Sequence, residues 1–134
     1  MKPGFLETTL DTRSANGRDD VLLSELHFRD INGTVYRVPI GAETDGGSTP
    51  RLVWLIPGFE PFGDHWLAWV LHDSAYRGTL LFRAGPEYLP WHLSRLQADQ
   101  LLDRALATKG MSPAKRAMVY HSLRATGWRY YRKP

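Results

Sequence analysis

The stretch His65-Trp66-Leu67-Ala68-Trp69-Val70-Leu71-His72-Asp73-Ser74-Ala75-Tyr76-Arg77 constrains the fold more than any other. From Trp66 to Leu71 every residue is apolar, so a helix here has no face to offer water and the rest of the chain must close around it. With 134 residues, the chain has about one domain's worth of material to do so. Its 43% hydrophobic and 23% charged residues are an ordinary globular balance and exclude a disordered chain. No run approaches the ~18 consecutive apolar residues of a membrane span. The opening Met1-Lys2-Pro3-Gly4-Phe5-Leu6-Glu7 lacks the apolar region of a cleaved signal peptide. There is no cysteine, so disulfides and thiolate metal sites are excluded and any metal must be held by oxygen or imidazole.

The pattern predicts an α+β fold: an N-terminal β-hairpin or small antiparallel sheet, then a Gly/Pro-rich loop, then a three-helix half. We expect a single domain over 1–134, strand-rich over 1–41, loop over 42–63, helical over 64–128, with a basic tail at 129–134. Residues 21–28 and 34–40 read as strands joined by Asp30-Ile31-Asn32-Gly33, where Asn-Gly accepts the positive φ of a tight hairpin. Pro39 places the second strand's end at an edge, and the polar residues 12–20 read as a loop. Asp64 is the expected N-cap of a helix reaching Arg77. Ser94 with Gln97 fits a capping box for a helix to Lys109, stopped by Gly110. Ser112-Pro113 opens a third helix to Ala125, stopped by Gly127. Residues 78–93 read as a long connection anchored by Phe82, Tyr88 and Trp91.

The chemistry-bearing residues cluster on the helices. His72 and Tyr76, four apart, share a face, while Asp73 is turned about 100° away. Asp99 lies on the apolar stripe Leu96, Leu102, Leu106 of the next helix. An imidazole and a carboxylate on two buried faces fit an Asp–His couple, in which the acid fixes the ring's tautomer and the other ring nitrogen takes a proton from water. Asp73 is then free to bind a hard cation, with carbonyls of Asp45-Gly46-Gly47 as further donors. The structural alternative stays open: His72–Asp99 as a lock between helices, with Arg95 neutralising Asp99 as an i,i+4 ion pair.

Two resemblances rest on these residues. The ordered blocks Val38-Pro39-Ile40-Gly41, Thr44-Asp45-Gly46-Gly47-Ser48-Thr49-Pro50-Arg51, Leu71-His72-Asp73-Ser74-Ala75-Tyr76-Arg77, Ser94 to Asp99 and Arg124-Ala125-Thr126-Gly127 resemble the bacteriophage and prophage family called domain of unknown function 1353. That resemblance implies a phage protein, in the virion or in the host cytoplasm during phage production, with other phage structural proteins as partners. His-Asp-x-x-Tyr followed by Ala-Asp is similar to the phospholipase A2 pattern, especially the cysteine-free form of parvovirus capsids. It implies His72 as general base, Asp73 as calcium ligand, Asp99 as the acid that orients the base, Tyr76 as its support, and Ca²⁺ as cofactor. The calcium loop of that superfamily, with its Tyr-Gly and Gly-x-Gly pattern, is not present, so Asp45, Gly46 and Gly47 would have to replace it.

Two functions follow as expectations. One is a calcium-dependent, phospholipase-like hydrolase in a phage tail, acting on the host envelope. The other is a non-catalytic tail or tail-tip component. For membrane or partner contact, Trp54, Phe59 and Phe62 supply apolar surface, and Arg129, Arg132 and Lys133 supply charge. Residues 103–134 hold eight Lys/Arg against one acid, Asp103. Nucleic acid is disfavoured as partner, because the basic, aromatic C-terminal segment is short and lacks a recognised nucleic-acid fold.

Overall fold

The computed structural model of the chain describes residues 2–14, 19–44 and 65–133. Asn32-Gly33 turns the chain as its chemistry predicts. Gly33 sits at φ +87°, and the flanking β4 (Leu26–Arg29) and β5 (Val35–Val38) pair antiparallel from Arg29↔Val35 to Leu26↔Val38. Leu26 and Phe28 of β4 point into the core while His27 and Arg29 are half-buried, the alternation of a sheet covered on one face. β1 (Gly4–Phe5) adds to β4, and with β7 (Leu81–Ala84) and β8 (Glu87–Pro90) they form an antiparallel sheet of order β1-β4-β5-β7-β8.

Several expectations are corrected here. The apolar run 21–28 splits between two sheets: its first residues form β3 (Asp20–Leu22), which lies between β2 (Thr12–Ser14) and β6 (Glu43–Thr44) in a three-stranded sheet. Residues 12–14 and 20, read as loop, are therefore paired strand, with Thr12↔Leu22 to Ser14↔Asp20 in register. Their partly exposed positions carry no apolar alternation to announce them. Pro39 does not mark an edge, because β5 lies at the sheet's centre and stops at Val38, just before the residue that cannot donate to the ladder. Pro39 instead opens a turn, closed by Ala42 N–H to Pro39 O at 3.2 Å.

The connection at 78–93 is a hairpin. β7 (Leu81–Ala84) and β8 (Glu87–Pro90) pair antiparallel, and β7 joins β5 through Tyr36↔Phe82 and Arg37↔Leu81. Gly85, at φ +64°, takes the first of the two turn positions, where such loops need a left-handed residue. Two strands thus interrupt the region expected to be helical over 64–128, and β6 opens the region expected to be loop over 42–63.

Three α-helices are described: α1 (Trp66–Arg77), α2 (Arg95–Thr108) and α3 (Pro113–Thr126). Helix α1 touches β4 and β5 on one side and α2 on another, so the all-apolar run is enclosed as its composition demands. Leu67 to His72 are all buried, and each large apolar side chain so placed contributes roughly 1.5–3 kcal/mol. Its N-cap is His65, with no side-chain cap; Asp64 lies outside the described residues. Ser94 forms the full capping box with Gln97, and the Ser112 side chain accepts from Lys115 N–H. The C-terminal end of α3 continues through Gly127 into a 3-10 turn, Gly127–Arg129, so the tail begins as ordered structure. The buried stripe of α2 is Ala98, Asp99, Leu101, Leu102, Ala105 and Leu106. Leu96, expected on it, is exposed, because at 100° per residue it lies about 140° from the Ala98–Leu102 centre of that stripe.

Candidate functional site

Helical spacing places His72 and Tyr76 one turn apart on α1, with ring centroids 4.1 Å from each other. Helix α2 brings Asp99 against both. His72 Nε2 lies 2.9 Å from Asp99 Oδ1, and Tyr76 Oη donates to the same oxygen at 2.5 Å. The other oxygen, Oδ2, accepts from Arg124 Nη1 at 2.9 Å and faces Arg95 Nη1 at 3.8 Å. Asp99 is 1% exposed, His72 5% and Tyr76 3%, so the cluster is enclosed. The edge of Trp69, at 5.8 Å, stands against the histidine ring.

The electrostatics fix the proton positions. Burial alone would push the Asp99 carboxyl up, but hydrogen bonds and charge from His72, then the bonds from Tyr76 and Arg124, outweigh it and hold the acid below the usual carboxylate range. An ionised carboxylate only accepts, so His72 Nε2, Tyr76 Oη and Arg124 Nη1 must all donate. In the neutral ring the lone pair is then on Nδ1, and no described residue hydrogen-bonds that atom. Burial first, then the hydrogen bond to the negative Asp99, pushes the Tyr76 phenol well above its ordinary value, so it stays a donor.

Asp73, the next residue on α1, faces elsewhere. Its carboxylate pairs with Arg77 Nε at 3.2 Å, and Arg77 also reaches Asp19 at 3.1 Å and Glu43 at 3.9 Å. Where the resemblance implies a calcium ion beside Asp73, a guanidinium is the paired cation. Among the described residues, no three His, Asp or Glu side chains come together to hold a metal. Asp45, Gly46 and Gly47, the other expected calcium donors, lie outside the described residues, as do Trp54, Phe59 and Phe62.

Arg129, Arg132 and Lys133 are exposed, Arg129 with its guanidinium 5.4 Å over the Trp128 ring. The segment around them is nevertheless tied to the site. Arg132 N–H donates to Tyr76 O at 2.9 Å, and Tyr131 Oη donates to Leu93 O at 2.7 Å while lying 2.9 Å from His92 Nε2. The Tyr131 ring stands edge-on to Tyr76 at 5.5 Å.

Two contributors escaped sequence reasoning. Arg124 entered only as a basic residue and as part of the block Arg124-Ala125-Thr126-Gly127, with no role at the site, yet it carries the charge opposite Asp99. Gly127, read as a helix stop, is required sterically: a Cβ there would lie 2.7 Å from Tyr76 Oη, although its φ of −68° suits any residue. Arg95 supports α3 more than it neutralises Asp99, donating to Leu123 O at 2.9 Å and Arg124 O at 3.2 Å, the carbonyls at that helix's end. A second histidine–carboxylate pair, His27 Nδ1 with Glu7 Oε2 at 2.6 Å, differs in kind. There Nε2 accepts from Arg37 Nε at 3.0 Å, so both ring nitrogens are engaged.

The model of a family described as protein of unknown function (DUF1353) matches residues 21–123. No curated protein and no solved structure matches the chain. No helix among the described residues is long and apolar enough to cross a membrane.

Proposed function

The chain belongs to the DUF1353 family, whose description assigns no activity, and from that premise we propose that it is an ester hydrolase of the phospholipase A2 kind with His72 as general base. The observation that carries this reading is the hydrogen bond from His72 Nε2 to a buried, ionised Asp99, which also accepts from Tyr76. The neutral imidazole so held points its basic nitrogen, Nδ1, away from the acid. A water molecule at Nδ1 gives its proton to the ring as its oxygen attacks the ester carbonyl. The carbonyl carbon gains the new C–O bond, the bond to the leaving alcohol breaks, and the departing oxygen takes the proton back from Nδ1. Asp99 stabilises the imidazolium between these steps, and Tyr76 and Arg124 keep the carboxylate oriented.

The substrate class, a phospholipid ester of a host envelope, and a place in the phage tail are supported by the resemblances of the sequence blocks. Calcium would be held by Asp73, which also pairs with Arg77, together with carbonyls of Asp45, Gly46 and Gly47, and would polarise the ester carbonyl; the proton transfers run through His72 and water. The test is fatty-acid release from phosphatidylglycerol vesicles, with calcium and with a chelator. Wild type is expected to release fatty acid, and His72→Gln, checked for native fold, to lose about 10²–10⁴-fold in rate. Absence of turnover by wild type, or undiminished turnover by His72→Gln, would overturn the reading.

One observation favours a non-catalytic tail component: Asp99 accepts from α1 and α3 while belonging to α2, which locks three helices together. That alternative predicts copurification with particles and no turnover.

A further inference from the structure

We propose that Tyr131 is a positioning residue of the His72 site, fixing how α1 and α2 meet there through the ring of Tyr76 and the first turn of α2. Its effect on catalysis rests on His72 as general base; its effect on the geometry of the cluster does not. Tyr131 follows the 3-10 turn Gly127–Arg129, and its side chain reaches both helices that build the site. On α1, its ring stands edge-on to that of Tyr76 at 5.5 Å. Toward α2, its hydroxyl donates to Leu93 O at 2.7 Å, immediately before the Ser94 cap. Asp99 comes four residues after Arg95, the first residue of α2, so the anchored end and the carboxylate are about one turn apart. The next residue, Arg132, donates its N–H to Tyr76 O at 2.9 Å, one of the carbonyls that the end of α1 leaves without an intrahelical partner.

A phenol has one proton, and Leu93 O takes it. Toward His92 Nε2, at 2.9 Å, Tyr131 Oη therefore accepts, and that nitrogen must carry hydrogen. The His92 ring in turn packs on the C-cap of α1, where a Cβ on Gly78 would lie 3.1 Å from Nδ1. One side chain thus closes a circuit from the end of α1 through His92 to the start of α2, and back to α1 through Tyr76. Tyr76 is where this frame enters the site. Its hydroxyl donates to Asp99 Oδ1, its ring lies 4.1 Å from that of His72, and Gly127 leaves the room its hydroxyl needs. The apolar contacts between α1 and α2 are non-directional and fix no particular hydrogen-bond distance. Directional bonds at the helix ends do, and a misplacement of about 1 Å at a reacting group can cost on the order of 10²-fold in rate.

The experiment compares wild type with Tyr131→Phe, which keeps the ring on Tyr76 and loses both hydroxyl bonds, and with Tyr130→Phe at the neighbour, 48% exposed. Two readouts on the full chain separate positioning from stability. Solvent exchange of the His72 Nε2 proton, followed by nitrogen-15 NMR, reports the bond to Asp99, and the amide of Val70, fully buried in α1, reports global opening. In Tyr131→Phe the acceleration of His72 exchange should exceed that of Val70 at least about tenfold. For fatty-acid release from phosphatidylglycerol vesicles, kcat should fall at least about fivefold at constant KM. Tyr130→Phe should alter neither. If Tyr131→Phe does not fold, His92→Leu, which removes one of the two hydroxyl bonds, should raise His72 exchange over that of Val70 by at least about threefold. His72 exchange that is unchanged, or that rises only in step with Val70, overturns the proposal. So does full turnover in Tyr131→Phe beside its loss in His72→Gln. Should wild type release no fatty acid, the hydrolase reading falls, and the exchange rates alone decide whether Tyr131 positions the cluster.

Discussion

Replacing Asp99 by Asn keeps the shape of the side chain and removes its charge, which isolates what the carboxylate does. In the native cluster its two oxygens accept from His72 at 2.9 Å, Tyr76 at 2.5 Å and Arg124 at 2.9 Å. An amide has one acceptor oxygen. With that oxygen placed toward His72 and Tyr76, its NH₂ meets the Arg124 guanidinium donor to donor. One charge-assisted bond is lost outright and the other two fall to neutral strength; such bonds contribute roughly 1.5–3 kcal/mol each. Breaking a buried pair by removing one partner costs about 3–5 kcal/mol. The Arg124 side chain is 31% exposed and can turn to water, which places the expected loss at the lower end, about 3 kcal/mol. In urea-induced unfolding, with a slope near 1.5 kcal/mol per M, the midpoint should fall by about 2 M. A loss below about 1 kcal/mol, the worth of an exposed ion pair, would refute the reasoning that Asp99 is a buried, charge-bearing hub.

The remaining predictions use the same cluster. Because the folded Asp99 acid is held below its ordinary value, its contribution is present above the unfolded carboxyl value and is lost as pH falls through the folded one. Urea midpoints of wild type should therefore decline below about pH 4 more steeply than those of Asp99→Asn. Tyr76 is raised, so its contribution holds below about pH 10 and is lost as pH climbs toward the folded value; Tyr76→Phe should flatten the alkaline limb of the same curve. Gly127→Ala would ordinarily stabilise a helix end by about 0.4–1 kcal/mol, but here the added carbon meets Tyr76 Oη, so a destabilisation of about 1–3 kcal/mol is expected by chemical denaturation. Arg104 clamps Asp30, 2% exposed, at 2.8 and 2.9 Å, and Arg104→Ala should cost about 2 kcal/mol in the same measurement, less than a fully buried pair because Arg104 is partly exposed.

What the residues disclosed in advance follows from how local each signal is. The buried course of α1 is written in six consecutive apolar side chains, and the caps at Ser94 and Ser112-Pro113 act within one turn, so both were legible. The His72–Asp99 contact was legible because each residue sits on the enclosed side of its helix, where an unpaired polar group is costly. Arg124 and Gly127 were not, since their roles arise from the approach of the end of α3 to Tyr76, which no spacing encodes. The β7–β8 hairpin was masked by Pro86 and Pro90, which read as irregular chain although Gly85 with Pro86 is itself a turn signal. Strand β2 lacked the apolar alternation that marks a buried face, and the run 21–28, read as one strand, carries no local sign that β3 leaves it for another sheet. The Asp73–Arg77 pair is a local i,i+4 contact within α1, of the kind that spacing alone can announce.

Whether His72 holds a free base rests on which ring nitrogen carries the proton, and nitrogen-15 NMR of histidine-labelled chain reads that directly, with His72 assigned by the loss of its signals in His72→Gln. In the neutral His72 ring the proton is expected on Nε2, shared with Asp99, with Nδ1 bare. A proton on Nδ1, with Nε2 unprotonated, would contradict the hydrogen-bond scheme and remove the general base from the site.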